Sequence, residues 1–473
     1  MQYNLLHDAW VPVIRNARSY ELLSLTELFR SMNQVQLAMN NPMDRFAIFR
    51  FVLSVLYWCR EKTGQELLPD GSIPGPWLDF LLNNEQHFEL FGSGKRFYQF
   101  QDVKRIRPIT DLIHEIPTGN NFVHFQHTQD YTGGLCIECA VLGLLRLPLF
   151  SVSGLPDLKS GINGTPPIYM CWWGDDLQKT ILYNWDPLPD MGVPSWVDPK
   201  PHNNEDLVPY LTGMTTLSRR CHLRDETILD GWCSHCGKST DKLIMQCGYE
   251  TAGTLENKAW IDPHAGYGAK GSISSPNPLA DSAVRNDKPW YYAIPAFVAN
   301  HPASYPASLF VVGFVTDKAK YVDVWEETFP LPEPDPETGA EFEITDWRSW
   351  VSNMNNKLKD LMRVDIRMDR EQSGNASSKR KQSLARMIAV IANSALETSL
   401  AHASKGVLGN SDQDWQQAGE SYSSLIRNLA SSLYPARDGI SLANRRRLYM
   451  IKPYKTKKKD EPIKDGQDAQ SND

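Results

Sequence analysis

Two Cys-x-x-Cys pairs, Cys136-Ile137-Glu138-Cys139 and Cys233-Ser234-His235-Cys236, restrict the fold more than any other feature of the chain. Each pair sets two sulfurs on one side of a turn. Two such pairs close a tetrahedron around a structural zinc ion, which takes four ligands. A fold that satisfies both must clamp the loop before Cys136 to the loop around residues 231–239. Cys221 and Cys247 flank the second pair and offer a rival, more local set, a compact zinc ribbon. The two-pair set is preferred, because lone thiols are often simply buried. A chain with no metal is the plain alternative.

The cysteines take this meaning from their setting. The N-terminus, "MQYNLLHDAWVPVI", lacks a basic segment followed by an apolar one, and no apolar run reaches the roughly 18 residues a membrane span needs. A cytoplasmic, membrane-free location is therefore expected, where eight cysteines are thiols or ligands rather than disulfides. Net charge is −7, which does not advertise nucleic-acid binding, but residues 341–453 carry +5 against −12 elsewhere. A local basic field on an acidic protein can still meet phosphates. A solvated helical face explains the same charges.

Organisation follows from hydrophobic patterning. "WVPVI" (10–14) reads as a strand, while 46–62 and 136–147 read as buried helices. From 151 to 320, short runs such as "PPIYMCWW" and "ASLFVVGFV" between Gly, Pro, Asn and Ser suit strands joined by long loops. The Pro-rich, acidic "FPLPEPDPETGAE" then marks a linker. Beyond it, three stripes repeat at helical spacing: Trp347 to Leu361, Leu384 to Leu396, and Trp415 to Leu433. A shorter stretch follows near 440–450. The expected fold class is α+β. A large mixed domain (1–330) with zinc-clamped loops precedes a linker (331–341), a helical bundle of four-helix type (342–452) and a disordered tail (453–473).

Enzyme chemistry is hard to find. His87-Phe88-Glu89 followed by Cys136-x-x-Cys139 faintly suggests a zinc deaminase, but Leu135 stands where that pattern has proline. A second thiol pair would also leave no ligand position for water. "GSGKR" (92–96) is not a phosphate loop, since Glu89 and Arg96 occupy the required Gly and Ser/Thr positions. A non-enzymatic protein is expected, with a zinc-stabilised protein-interaction scaffold as the alternative.

An ordered set of segments resembles one family. "NLLHDAWVPV", "FQHTQDYTGGLCIECA", "LKSGINGTPPIYM", "LVPYLTGMTTLSRRCHL", "CSHCG" and "WIDPHAG" are similar, in this order, to the large subunit of Cascade, the type I-E CRISPR surveillance complex. The resemblance implies a non-catalytic subunit working beside guide RNA and the complex's backbone and small subunits. It implies recognition of a protospacer-adjacent motif in double-stranded DNA, wedging of that duplex for R-loop formation, and recruitment of a helicase–nuclease. Protein then reads the motif while base pairing reads the sequence.

The resemblance also implies roles residue by residue. The family's zinc ligands fall on Cys136, Cys139, Cys233 and Cys236. Its guide- and target-contact loop falls on "NNFVHFQHTQD", with Asn121, Phe125 and His127. Its glycine-rich motif loop falls on 151–161, with Gly154, Leu155, Pro156 and Lys159, and is poorer in glycine here. Its wedge falls on 313–321, with Asp317, Lys318 and Ala319 at the tip. A minor-groove lysine falls on Thr251 by spacing, with Lys258, Lys242 and Lys270 as substitutes. Arg363, Arg367 and Arg370, with Lys379, Arg380 and Lys381, would give the bundle a basic face for the displaced strand or neighbouring subunits.

Overall fold

The helix Pro42–Thr63 starts where its cap dictates. The Asn41 side chain accepts from the Met43 N–H, and Pro42 sits where a missing N–H costs nothing. It stops at Gly64, whose φ of +67° suits glycine, with the cap N–H on the Arg60 carbonyl. Its 22 residues span about 33 Å. Buried side chains run from Pro42 to Cys59 around nearly the whole circumference, so the helix is a central post rather than a surface element. A second buried helix, Ile137–Arg146, packs against it.

In this computed structural model the described residues are 2–117, 122–123, 126–127, 130–131, 133–151, 168–199, 208–225, 228–252, 261–269, 276–278, 297, 301, 307–317 and 320–330. The chain divides into two compact units, Met1–Leu331 and Pro332–Asp473. The second unit lies outside the described residues, as do the whole of the expected linker, the bundle and the tail.

The described residues include three antiparallel three-stranded sheets. One orders Ser19–Leu23, Val11–Arg15 and Val35–Leu37. A second orders Arg219–Leu223, Gln246–Thr251 and Ile106–Pro108. The third orders Lys320–Pro330, Ser308–Asp317 and Tyr169–Trp173. Its middle strand is buried on both faces from Leu309 to Phe314, which explains a continuous apolar run where a half-exposed strand would alternate.

Residues 151–320 differ from expectation in holding helices as well as strands. Leu177–Tyr183 forms because Asp176 caps it, its carboxylate accepting from the Lys179 N–H. Tyr210–Thr215 is a second short helix. Among the described residues, no helix is long and apolar enough to cross a membrane.

Candidate metal centre

Cys136 is the N-cap of the helix Ile137–Arg146, and Cys139 lies in its first turn. N-cap and third helical residue share one side of a helix start, and the helix N-terminus favours thiolate charge. The other pair sits in a knuckle between the strands Ile228–Trp232 and Ser239–Ile244. That knuckle closes through Cys233 N–H to the Lys238 carbonyl (2.8 Å) and Gly237 N–H to the Cys233 carbonyl (2.9 Å). Gly237 has φ of +72°, a left-handed turn that a side chain would strain.

Backbone and side chains dock the two segments to each other. Ser234 N–H donates to the Gly134 carbonyl at 2.9 Å, and Gly133 N–H donates to Ser234 Oγ at 3.0 Å. Leu135 and Ile244 exchange a pair of backbone hydrogen bonds, and Lys238 pairs with Glu138 at 2.7 Å.

All four sulfurs consequently lie within 4.8 Å of one another, with Cys136 and Cys236 Sγ 3.7 Å apart. A tetrahedral thiolate site with bonds of about 2.3 Å has edges of about 3.8 Å, so the donor set fits a metal ion. Hydrogen bonds from Cys136 and Cys139 hold Cys233 well below the ordinary thiol range and Cys236 at about 7, while Cys139 is pushed up. Four crowded thiols share protons in this way, and a cation would replace those protons. Cys221 and Cys247 are not part of the cluster. They are buried on neighbouring strands of the second sheet, which removes the local rival set.

Behind the knuckle runs a buried ionic chain that sequence patterning does not reveal. His235 Nε2 lies 3.2 Å from Asp44, whose other oxygen accepts from Arg146 Nε at 2.7 Å. Arg146 Nη1 donates in turn to both Glu115 oxygens, at 3.0 and 2.7 Å. Burial would raise the Asp44 carboxyl, but Arg146 and His235 outweigh it and hold it at about 2. Glu115 is likewise held low by Arg146 against its own burial. The cysteine knuckle, the start of the central helix and Glu115 thus share one charge network. A second buried cluster joins Arg50 to Asp262 through two hydrogen bonds, at 2.7 and 2.8 Å, and to His264 Nδ1 at 2.6 Å. Charged residues inside otherwise apolar stretches, Asp44, Arg50 and Arg146, were the available signal for both.

The other expected site residues are distributed as follows. Gln126–His127 pairs with Phe122–Val123 as two short strands, with His127 opposite Phe122. Asn121 and Phe125 lie outside the described residues. Asp317 ends one strand of the third sheet and pairs with Lys320, while Lys318 and Ala319 between them lie outside the described residues. So do Gly154, Leu155, Pro156 and Lys159, and so do Lys258, Lys270, Arg363, Arg367, Arg370, Lys379, Arg380 and Lys381. Lys242 is exposed on Ser239–Ile244, and Thr251 ends the middle strand of the second sheet.

With this geometry in place, known proteins resemble the chain in both sequence and fold. The family model described as CRISPR-associated protein Cse1 matches residues 4–433. The CRISPR-associated protein CasA/Cse1 of Thermus thermophilus is 26% identical over 216 residues, 42% of each chain. The chain is thus matched along about two fifths of that curated relative's length. The solved structure of Thermus thermophilus CasA (Cse1) gives a TM-score of 0.68 at 16% identity, covering 95% of this chain and 99% of that one. Cse1 from Acidimicrobium ferrooxidans gives 0.64 at 15%, covering 95% and 98%. A chain solved in a CRISPR RNA-guided surveillance complex gives 0.67 at 12%, covering 95% and 99%. At such identities the likeness to solved structures is one of fold.

Proposed function

The chain belongs to the CRISPR-associated Cse1 family, and on that premise we propose that it is the motif-reading large subunit of a type I-E guide-RNA surveillance complex. The family match across residues 4–433 carries this reading. In it, the chain joins backbone and small subunits and guide RNA in the cytoplasm. It recognises the protospacer-adjacent motif of target duplex DNA, opens that duplex and recruits a helicase–nuclease.

The residues divide the work. Zinc on Cys136, Cys139, Cys233 and Cys236 is structural. Four thiolates fill its coordination sphere, so the ion presents no position for a reacting water and the subunit acts without catalysis. The metal and the Arg146 network hold the stems of the guide- and target-contact loop, with Asn121, Phe125 and His127. Gly154, Leu155, Pro156 and Lys159 approach the motif, where backbone can come close to a groove floor. Asp317, Lys318 and Ala319 form the wedge, the lysine holding unpaired strands by phosphate contact. A C-terminal helical bundle presents Arg363, Arg367, Arg370, Lys379, Arg380 and Lys381 to the displaced strand.

The test is binding of guide-matched duplex DNA by the guide-RNA core complex, assembled with and without the chain, while the three adjacent base pairs vary. Tight binding should require both the chain and particular adjacent pairs. Lys318→Ala combined with Lys159→Ala should weaken it about tenfold or more, each lost phosphate contact also lowering the salt slope by about one. Binding that is indifferent to the chain would leave only a scaffold.

A further inference from the structure

The stems of the three loops assigned above, residues 120–130, 151–161 and 313–321, run past one side chain, His114. His114 lies six residues ahead of the first loop. Its Nε2 hydrogen-bonds the carbonyl of Phe150, next to Ser151, the first residue of the second loop. Its ring stacks on Phe314 of the strand Ser308–Asp317, with centroids 5.4 Å apart and planes at 23°. Phe314 also packs edge-on against Phe150 at 6.1 Å and against Tyr321, across the hairpin, at 5.7 Å. Phe150 and Phe314 are fully or almost fully buried.

We infer that His114 is a positioning residue: it fixes the three stems relative to one another, and through them the discrimination among base pairs beside the target. The inference rests on the motif-reading role proposed for the chain. Two features of the imidazole are used at once, a flat face on Phe314 and an edge donor to Phe150. Phenylalanine would keep the face and lose the hydrogen bond to that carbonyl. Glutamine would keep a donor and lose the face. Recognition groups must be held to about half an ångström by the side chains behind them, and a displacement of about 1 Å can cost up to a hundredfold. A side chain that ties three stems together is therefore placed to set selectivity without touching nucleic acid.

The experiment uses the full chain in the guide-RNA core complex. Affinity is measured for guide-matched duplexes with preferred and altered adjacent pairs, together with zinc content, for wild type, His114→Gln, His114→Phe, Phe314→Leu and the His114→Gln/Phe314→Leu double variant. The ratio of preferred to altered affinity should fall about tenfold in H114Q, with zinc content and affinity for altered duplexes unchanged. H114F, which loses only the hydrogen bond to the Phe150 carbonyl, should lower the ratio less, and it carries the test if H114Q folds poorly. The double variant should be no worse than the poorer single one, since both remove the same stack. Selective wild type with an unchanged ratio in both His114 variants overturns the inference. So does an equal loss of affinity for every duplex, which marks a purely structural role. A wild type with no dependence on adjacent pairs overturns the motif-reading role itself, and the inference with it.

Discussion

Arg146 stands in the run Leu144-Leu145-Arg146-Leu147, where a cation has to be matched by buried anions. Asp44 and Glu115 supply them. Removing one partner of such a set is costly, because the charge left behind is desolvated and unpaired. Arg146→Met should therefore lower stability by about 3–5 kcal/mol near neutral pH, measured by urea unfolding of the zinc-loaded chain. The pH dependence has a definite sign. Asp44 moves from its ordinary 3.8 down to about 2 in the fold, so its contribution is complete above 3.8 and is lost as pH falls through 2. It amounts to about 2 kcal/mol, and the gap between wild type and R146M should narrow across that window. A gap that stays constant from pH 5 to pH 2 would show that Asp44 is not the partner that matters. At this scale the sequence displayed the four-cysteine cluster but not the network. Cys-x-x-Cys spacing is local chemistry, whereas Arg146 meets Asp44 from 102 positions away, and no pattern in one sequence encodes that meeting.

At the level of elements, the knuckle illustrates how little side chain a metal loop needs. Its left-handed Gly237 has open space around it, with nothing within 4 Å of where a Cβ would stand. Gly237→Ala should therefore cost only the backbone penalty, about 1–2 kcal/mol, and retain the metal. Gly237→Asn should cost less, because asparagine tolerates that region. Loss of zinc from G237A would mean the turn shapes the ligands rather than merely permitting them. The long helix was legible as the apolar run 46–62, but its first turn from Pro42, set by the Asn41 cap, was not. The strands at 169–173 and 308–317 were legible as short apolar runs. The helix Leu177–Tyr183 was not. Its seven residues carry too little periodicity, and a single aspartate cap decides it.

For the whole molecule, all four sulfurs and the Arg146 network lie within the unit Met1–Leu331. A chain ending at residue 330 should bind one zinc ion, and a strong chelator should lower its melting temperature. Failure to bind would mean that the second unit is needed to assemble the site. The mixed fold was legible in the apolar patterning, and the family in the ordered set of segments along the chain. Residues 154–159, 318–319 and 363–381 lie outside the described residues, and their roles stand as proposals. The clamp also has a meaning in time. Cys136 and Cys236 touch across 100 positions of chain. A ribosome adding 5–20 residues each second leaves the first thiol pair waiting for roughly 5–20 s. Through that interval the nascent chain offers two sulfurs of four, a half-site open to oxidation or to the wrong ion. In the zinc-bound reading, maturation depends on how well a cell shields a growing polypeptide until the second pair leaves the exit tunnel.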